Sequence, residues 1–330
     1  MTMKIAFVYH SLATFVRHDL DILRQEHQVR AADFRFRPDD AINLAQTVKW
    51  SDAVFCWFAA RHTLLALLLA AALRKRSFVV TGGYDVASMP EIGYGSLRGG
   101  LTRPMAKLIF SMADQLLPFS ESARGELIRN GGVAPSKALT INLGVPDSTA
   151  AMLVPKERLV LTVGDVVRGN LKRKGLAAFV HAARALPHVP FVMAGRWEDD
   201  SIDYLRDVAT PNLQFTGFTP EPELHELMER AKVYVQASGH EGFGLALAEA
   251  MLHGCIPVVT DRGSLAEVSG GIGLTVPYDD PLALARGIDE SLQLGADVAR
   301  RARQHVLDRF PIERRRDMLL EVVQSRKGGR

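Results

Sequence analysis

Short apolar runs alternate with helical periods along almost the whole chain. "KIAFVYH", "VRAADF", "DAVFCWF", "SFVVTGG", "QLLPFS" and "ALTINLG" have the length and the β-branched or aromatic content of strands. Between them, residues 14–26, 61–74, 98–113 and 121–130 carry apolar positions at helical spacing. Strands that are apolar on both sides and alternate with helices predict a parallel sheet covered on both faces. The rhythm breaks over "GVPDSTAAMLVPKER" (144–158), where two prolines interrupt any period, and then restarts. "LVLTVG", "HVPFVMAG", "NLQFTGF", "VYVQAS", "IPVVTD" and "GLTVP" read as six further strands, with helical stretches at 174–186, 221–231 and 244–253. The pattern predicts an α/β protein of two doubly wound, Rossmann-like domains, residues 1–150 and 151–310, joined near 145–157. Helical patterns at 281–294 and 296–309 are followed by a closing helix within 311–330, expected to return to the first domain. Such sheets bind ligands beyond the carboxyl ends of their strands, so the expected site lies in a cleft where the two domains face each other.

Composition adds limits. A chain of 330 residues with 47% hydrophobic and 23% charged residues fits a two-domain soluble protein. Cys56 and Cys255 both sit in apolar runs, which gives no disulfide framework and fits a reducing, cytoplasmic setting. "MTMKIAFVYH" enters a strand directly and reads without a signal peptide. "HTLLALLLAAAL" (62–73) is the most apolar segment, but its 12 residues between Arg61 and Arg74 suit a core helix. A bilayer crossing needs roughly 20 residues. The net charge of +3 favours an anionic small ligand, or weak contact with an anionic membrane, over nucleic acid. "ERRRD" (313–317) and the terminal "RKGGR" read as solvated charge. "RGGLTRPMAKLIFSMADQLL" (98–117) reads as a basic amphipathic helix packed on the surface, with membrane contact as the alternative.

The chemistry concentrates in "SGHEGFGLALAEAMLHGCIPVV" (238–259). After Gly244 the helix is apolar almost all round, the pattern of a buried helix, yet Glu249 lies in its middle and Glu241 in the turn before it. Burying a carboxylate costs several kcal/mol (about) unless polar groups meet it. A Gly-rich turn feeding a helix offers backbone N–H groups and the positive end of the helix dipole, a phosphate site. Two carboxylates on the order of 8–12 Å apart, flanking those amides, match the sugar hydroxyls and ribose hydroxyls of a nucleotide-diphosphate sugar. The plainer reading pairs Glu249 with a nearby Lys or Arg and leaves Glu241 decorating a loop.

A second cluster, "VGDVVRGNLKRKG" (163–175), packs Arg168, Lys172, Arg173 and Lys174 into the strand-to-helix loop after the first strand of the second domain. Fixed cations there would neutralise a departing diphosphate. The G-x-G-x-x-G fingerprint is missing after both first strands, which argues against a nicotinamide enzyme.

Taken together, these motifs resemble the GT-B glycosyltransferases of the large retaining family 4. The resemblance runs along nearly the whole chain and is strongest from Val163 to about Pro277. Glu241 and Glu249 meet its E-x7-E signature, with "EGFG" (Glu241, Gly242, Phe243, Gly244) intact. "VTDRGSLAEV" (259–268) matches a Gly-containing loop ending in Glu267, and "FTGF" (215–218) the segment that meets the base, which includes Phe218. "PFSESARGELIRNGGVAPSKALTINLGVPD" resembles the last N-domain stretch, with "NLGVPD" for the usual N-G-V-D. The resemblance implies that Glu241 contacts the transferred sugar, Glu249 the ribose, the N–H groups of Phe243 and Gly244 the donor, and Lys174 the diphosphate. It further implies a retaining transfer assisted by the departing phosphate, with no bound metal or other cofactor.

Two positions depart from the family. Where Arg commonly follows the strand-end glycine, here Gly164, the chain has Asp165, so Arg173 or Arg168 would supply the cation, Arg173 being favoured. Where many members carry His in the N-domain, alignment from Asp85 places Gly82, so the acceptor side would use the backbone of the Gly82–Gly83 loop. Among other candidates, the acids of "WEDDS" (197–201) suit either a metal or a helix start. Of His10, His18, His62 and His240, only His240 adjoins the motif. The leading expectation is a glycosyltransferase acting on a glycan, lipid or small-molecule hydroxyl. A nucleotide-sugar epimerase on the same fold and a non-catalytic sugar-nucleotide-binding module are the alternatives.

Overall fold

The computed structural model describes residues 2–147 and 155–325. Eleven apolar runs of the described residues form strands, all paired in parallel. The first sheet holds β1 (Lys4–Tyr9), β2 (Gln28–Asp33), β3 (Ala53–Trp57), β4 (Arg76–Thr81) and β5 (Gln115–Pro118), in the order β2-β1-β3-β4-β5. The second holds β6 (Glu157–Val163), β7 (Phe191–Ala194), β8 (Leu213–Gly217), β9 (Ala231–Gln236), β10 (Ile256–Thr260) and β11 (Leu274–Val276), in the order β11-β10-β9-β6-β7-β8. β3 and β10 are buried along their whole length, as strands covered on both faces must be. The chain divides into two compact units, Met1–Gly144 with Ile312–Arg330, and Val145–Pro311. The expected boundary between residues 150 and 151 and the terminal "RKGGR" lie outside the described residues.

Helix ends follow local chemistry. Before the helix Pro281–Gln293, the Asp280 carboxylate accepts a hydrogen bond from the Ala283 N–H at 2.8 Å, and Pro281 supplies a preset φ at the first position. Leu284, Ile288 and Leu292 then recur every four residues on the buried face. Each contributes roughly 1.5–3 kcal/mol by leaving water.

Three expectations are corrected. "ALTINLG" forms no strand, although Leu139 N–H donates to Leu116 O at 3.0 Å and Ile141 N–H to Pro118 O at 2.9 Å. The return bond of a parallel ladder would come from residue 118, and Pro118 has no N–H. The helix expected from residue 98 begins at Thr102, because Gly99 and Gly100 both have positive φ. The basic segment 163–175 is not simply a loop, since Arg168–Arg173 is a short helix that ends beside Gly175, φ 66°.

The helix Ile312–Gln324 is fastened to unit 1 by a buried ion pair. Arg315 donates to both oxygens of Asp19, Nε–Oδ1 2.5 Å and Nη2–Oδ2 2.7 Å, while its Nη1 donates to the carbonyls of Ile141 and Asn142. Both cysteines are free and buried, and burial pushes their thiols up to about 12 (Cys56) and about 11 (Cys255).

Candidate functional site

β9 lies inside the second sheet, yet one of its faces carries polar residues at alternate positions, Tyr234 and Gln236, continued by Ser238 just beyond the strand. All three are buried, so each polar atom needs a partner. The partners form a directed chain. Burial holds the Tyr234 phenol well above its ordinary pKa, so it remains a donor, and its O–H donates to Gln236 Oε1 at 3.0 Å. That contact turns the Gln236 amide so that Nε2 donates to Ser238 Oγ (3.1 Å) and to Glu241 Oε1 (2.9 Å). Ser238 Oγ donates to the same Oε1 at 2.9 Å, and Lys174 Nζ pairs with it as well. Glu241 Oε1 is therefore saturated, while Oε2 accepts no hydrogen bond from the described residues. Burial alone would raise the Glu241 carboxyl. The Lys174 charge and hydrogen bond, the Arg173 charge and the Ser238 hydrogen bond outweigh it and hold the group below its ordinary pKa.

Lys174 reaches this turn because the two segments dock through their backbones. Gly239 N–H donates to Arg173 O at 2.8 Å, and Tyr278 O–H to Lys172 O at 3.0 Å. A Cβ on Gly175 would lie 2.0 Å from Ala237 O, so only glycine allows the approach. From the other side, Ser264 Oγ donates to Phe243 O at 2.7 Å and to Glu241 O at 3.1 Å. Gly244, φ 95°, turns the chain into the helix Leu245–Leu252, and the Phe243 ring packs edge-on against Phe310 at 5.2 Å. Gly242 sits half-buried between them.

Glu249 is half-buried on that helix, with buried Ala248 and Ala250 on either side. No cation or hydrogen-bond donor among the described residues meets its carboxylate, so the reading that pairs it with Lys or Arg is corrected. Burial pushes its carboxyl up to about 7, and the Glu221 charge adds to the shift.

The remaining candidates separate into near and remote. Gly164 follows β6, and its N–H donates to Ala194 O at 2.8 Å. Arg173 directs Nη2 to Asn170 Oδ1 at 2.6 Å while its charge bears on Glu241. Arg168 is drawn elsewhere, to an exposed pair with Asp200 at 3.2 Å, and its N–H donates to Asp199 at 2.8 Å. Asp199 also accepts from the Ser201 N–H at 2.9 Å, the helix-start role for "WEDDS". No group of three or more His, Cys, Asp or Glu among the described residues is placed to hold a metal ion. Phe218 is 68% exposed, with the Arg196 guanidinium 5.9 Å from its ring, and Glu267 is half-buried in the short helix Leu265–Ser269. His240 is buried. Asp165 accepts from the Arg196 N–H at 3.0 Å and pairs with its side chain at 3.5 Å.

Sequence reasoning missed Arg196 and the Tyr234–Gln236–Ser238 chain. The polar alternation within an otherwise apolar "VYVQAS" was the available signal. For Arg196 none existed, since the residue lies 31 positions from Asp165.

In unit 1 the three acceptor-side candidates, Gly82, Gly83 and Asp85, bond to one another. Asp85 is buried, with Oδ1 accepting from the N–H groups of Gly82 (3.1 Å) and Gly83 (3.0 Å) and Oδ2 from Ala59 N–H (3.1 Å). The amides expected to face an acceptor are thus turned inward. Gly82, φ 143°, has the Phe119 ring 2.8 Å from where a Cβ would stand, so a side chain there, His included, would be strained and would have to displace that ring.

Comparison with known proteins follows the same division. Residues 157–293 match the family model described as Glycosyl transferases group 1. The chain is 30% identical over 198 residues to O-antigen chain mannosyltransferase B of Escherichia coli, covering 55% of this chain and 52% of that enzyme. It is 32% identical over 163 residues to the phosphatidyl-myo-inositol mannosyltransferase of Mycolicibacterium smegmatis, covering 46% of this chain and 42% of that one. The chain thus spans about half the length of these relatives. Among solved structures it is similar to Anabaena Alr3699/HepE in complex with UDP and glucose, with a TM-score of 0.81 at 17% identity, over 98% of this chain and 100% of that one.

Proposed function

We propose that the chain, whose residues 157–293 match the group 1 glycosyl transferases and whose fold is that of GT-B enzymes, is a member of that family and transfers mannose or a related hexose from a nucleotide-diphosphate sugar to a hydroxyl of a glycan or lipid-linked glycan. The observation that carries the reading is the Lys174–Glu241 pair in a turn that opens onto a helix bearing Glu249, which has no partner among the described residues. Mannosyl transfer is taken from the two relatives above, and the UDP of the Anabaena complex supports a nucleotide donor.

In this mechanism Glu241 Oε2 accepts a hydroxyl of the transferred sugar, and Glu249 accepts the ribose hydroxyls. The N–H groups of Phe243 and Gly244 face the donor. Phe218 borders the base, and Gly164 and Glu267 line the donor. Lys174 keeps two N–H donors beyond the one engaged by Glu241, and these hold the diphosphate, with Arg173 adding charge. The acceptor oxygen bonds to the anomeric carbon as the bond to the diphosphate oxygen breaks. The hydroxyl proton passes to that departing oxygen, and configuration is retained. The lysine stabilises charge as it develops, so the step needs no metal ion.

Glu241→Ala and Lys174→Ala are each expected to lower hexosyl transfer by at least about tenfold with the fold intact. GDP-mannose and UDP-hexose donors, released nucleotide and circular dichroism provide the readouts, and wild-type turnover in both variants would overturn the assignment. Saturable donor binding without nucleotide release in the wild type would instead favour the binding-module reading, and release-free conversion of the sugar an epimerase.

No helix of the described residues is long and apolar enough to cross a membrane. Peripheral contact at the inner membrane face is part of the proposal, through exposed Leu101 and Leu108 beside Arg103 in the 98–117 segment. Co-sedimentation with anionic but not neutral vesicles tests it, and equal recovery with both would refute it.

A further inference from the structure

Only four non-glycine residues among those described have positive φ, and two are phenylalanines, Phe36 (63°) and Phe58 (64°). A bulky side chain in that region is an outlier that surrounding structure must enforce. Both lie at the carboxyl edge of the first sheet, Phe58 directly after β3 and Phe36 shortly after β2. The order β2-β1-β3-β4-β5 reverses direction between β1 and β3, the crevice where sheets of this topology bind ligands.

The residues at this crevice are built for display. The Asp40 carboxylate accepts from the N–H groups of Arg35 (2.7 Å) and Arg37 (2.9 Å), pinning the backbone on either side of Phe36. The Phe36 ring nevertheless stays 54% exposed. His10, just beyond β1, stands 5.9 Å from that ring, and the Arg61 guanidinium lies 5.9 Å over it. Arg35 and Arg37 are paired with Asp33 and Asp40, whereas exposed Arg61 has no carboxylate partner among the described residues. Its place in the first turn of the helix Arg61–Ala72, at the positive end of the dipole, is also unfavourable for a cation. His10 Nδ1 lies 3.0 Å from Phe34 O and must donate to it, so in the neutral ring Nε2 is an acceptor.

We propose that this crevice is the acceptor subsite and takes a sugar ring bearing a phosphate or carboxylate. Phe36 covers the C–H face of the ring, His10 Nε2 accepts a sugar hydroxyl, and Arg61 pairs with the anionic group. The catalytic meaning rests on the transferase reading, but the binding itself does not.

The test is direct binding to the full chain, by calorimetry or ligand-observed NMR. The probes are mannose 6-phosphate and glucuronic acid, with methyl α-mannoside and inorganic phosphate as controls. The anionic sugars are expected to bind at least about fivefold more tightly than either control, and Arg61→Gln to abolish that preference. Phe36→Gly is expected to weaken all sugar probes by at least about fivefold without lowering Tm, since glycine accepts positive φ freely. Wild-type binding in both variants, no sugar binding by the wild type, or a Phe36→Gly variant with lower Tm and unchanged binding would each overturn the proposal. Unchanged binding preferences in a chain that proves inactive would count against the transferase reading alone.

Discussion

Glu241 in the second unit and Asp85 in the first are both carboxylates held in glycine-containing turns after parallel strands, and they are held in opposite ways. Asp85 has both oxygens filled by three backbone N–H groups of its own and a neighbouring loop. Glu241 has one oxygen crowded by Lys174, Gln236 and Ser238 and the other without a donor among the described residues. The first arrangement consumes the carboxylate to define a loop. The second orients it and keeps an acceptor for something else. Asp19, clasped at both oxygens by Arg315, falls with Asp85. Charge and burial alone do not separate these carboxylates. The count of oxygens left to accept a hydrogen bond does.

The strongest way to break this division is at the structural end. Arg315→Ala leaves Asp19 buried and unpaired and is expected to cost about 3–5 kcal/mol of stability, read from denaturant unfolding. A loss under about 1 kcal/mol would remove Asp19 from the comparison. Glu241→Gln is expected to lower kcat/KM by on the order of 100-fold, about 2.7 kcal/mol, with Tm little changed. Asp85→Asn should do the reverse. It sets an amide N–H against a backbone N–H, costing about 2–3 kcal/mol of stability while leaving nucleotide-sugar binding near wild type. Activity loss from Asp85→Asn without destabilisation would contradict its assignment to the loop.

Glu249 sharpens the contrast, because among the described residues it has a partner at neither oxygen. Its carboxyl is raised in the folded chain to about 7, so the unfolded chain ionises it first. The stability tied to this group is therefore fully present below the ordinary Glu range and is lost as pH rises through about 7. Glu249→Gln should flatten Tm between pH 5 and pH 8, roughly, and raise it at the alkaline end. A Tm profile parallel to wild type would mean that another donor meets this carboxylate. The smallest expected effect is that of Gln236→Leu, which removes one of three donors to Glu241 Oε1. We expect about a tenfold loss in kcat/KM and an acid limb displaced to higher pH, since the charged form loses support. Stability loss with an unmoved pH profile would make Gln236 a packing residue.

The alternation of apolar runs and helical periods determined the two parallel sheets, because strand and helix burial follow from local spacing. The same local logic set Glu241 before a helix and Glu249 within it, and the crowding of Lys174 with Arg173 in one short segment. Local pattern failed where a missing donor mattered, as with Pro118, which ends the ladder beside "ALTINLG". It failed again where partners are distant in the chain. Lys174 meets Glu241 across 67 residues, Arg196 meets Asp165 across 31, and Arg315 meets Asp19 across 296. Hydrogen-bond valence is settled by whichever groups arrive at contact distance. Only the tertiary structure decides that the Gly82–Gly83 amides face inward to Asp85, and that among the described residues Glu249 meets no partner and Glu241 Oε2 no donor.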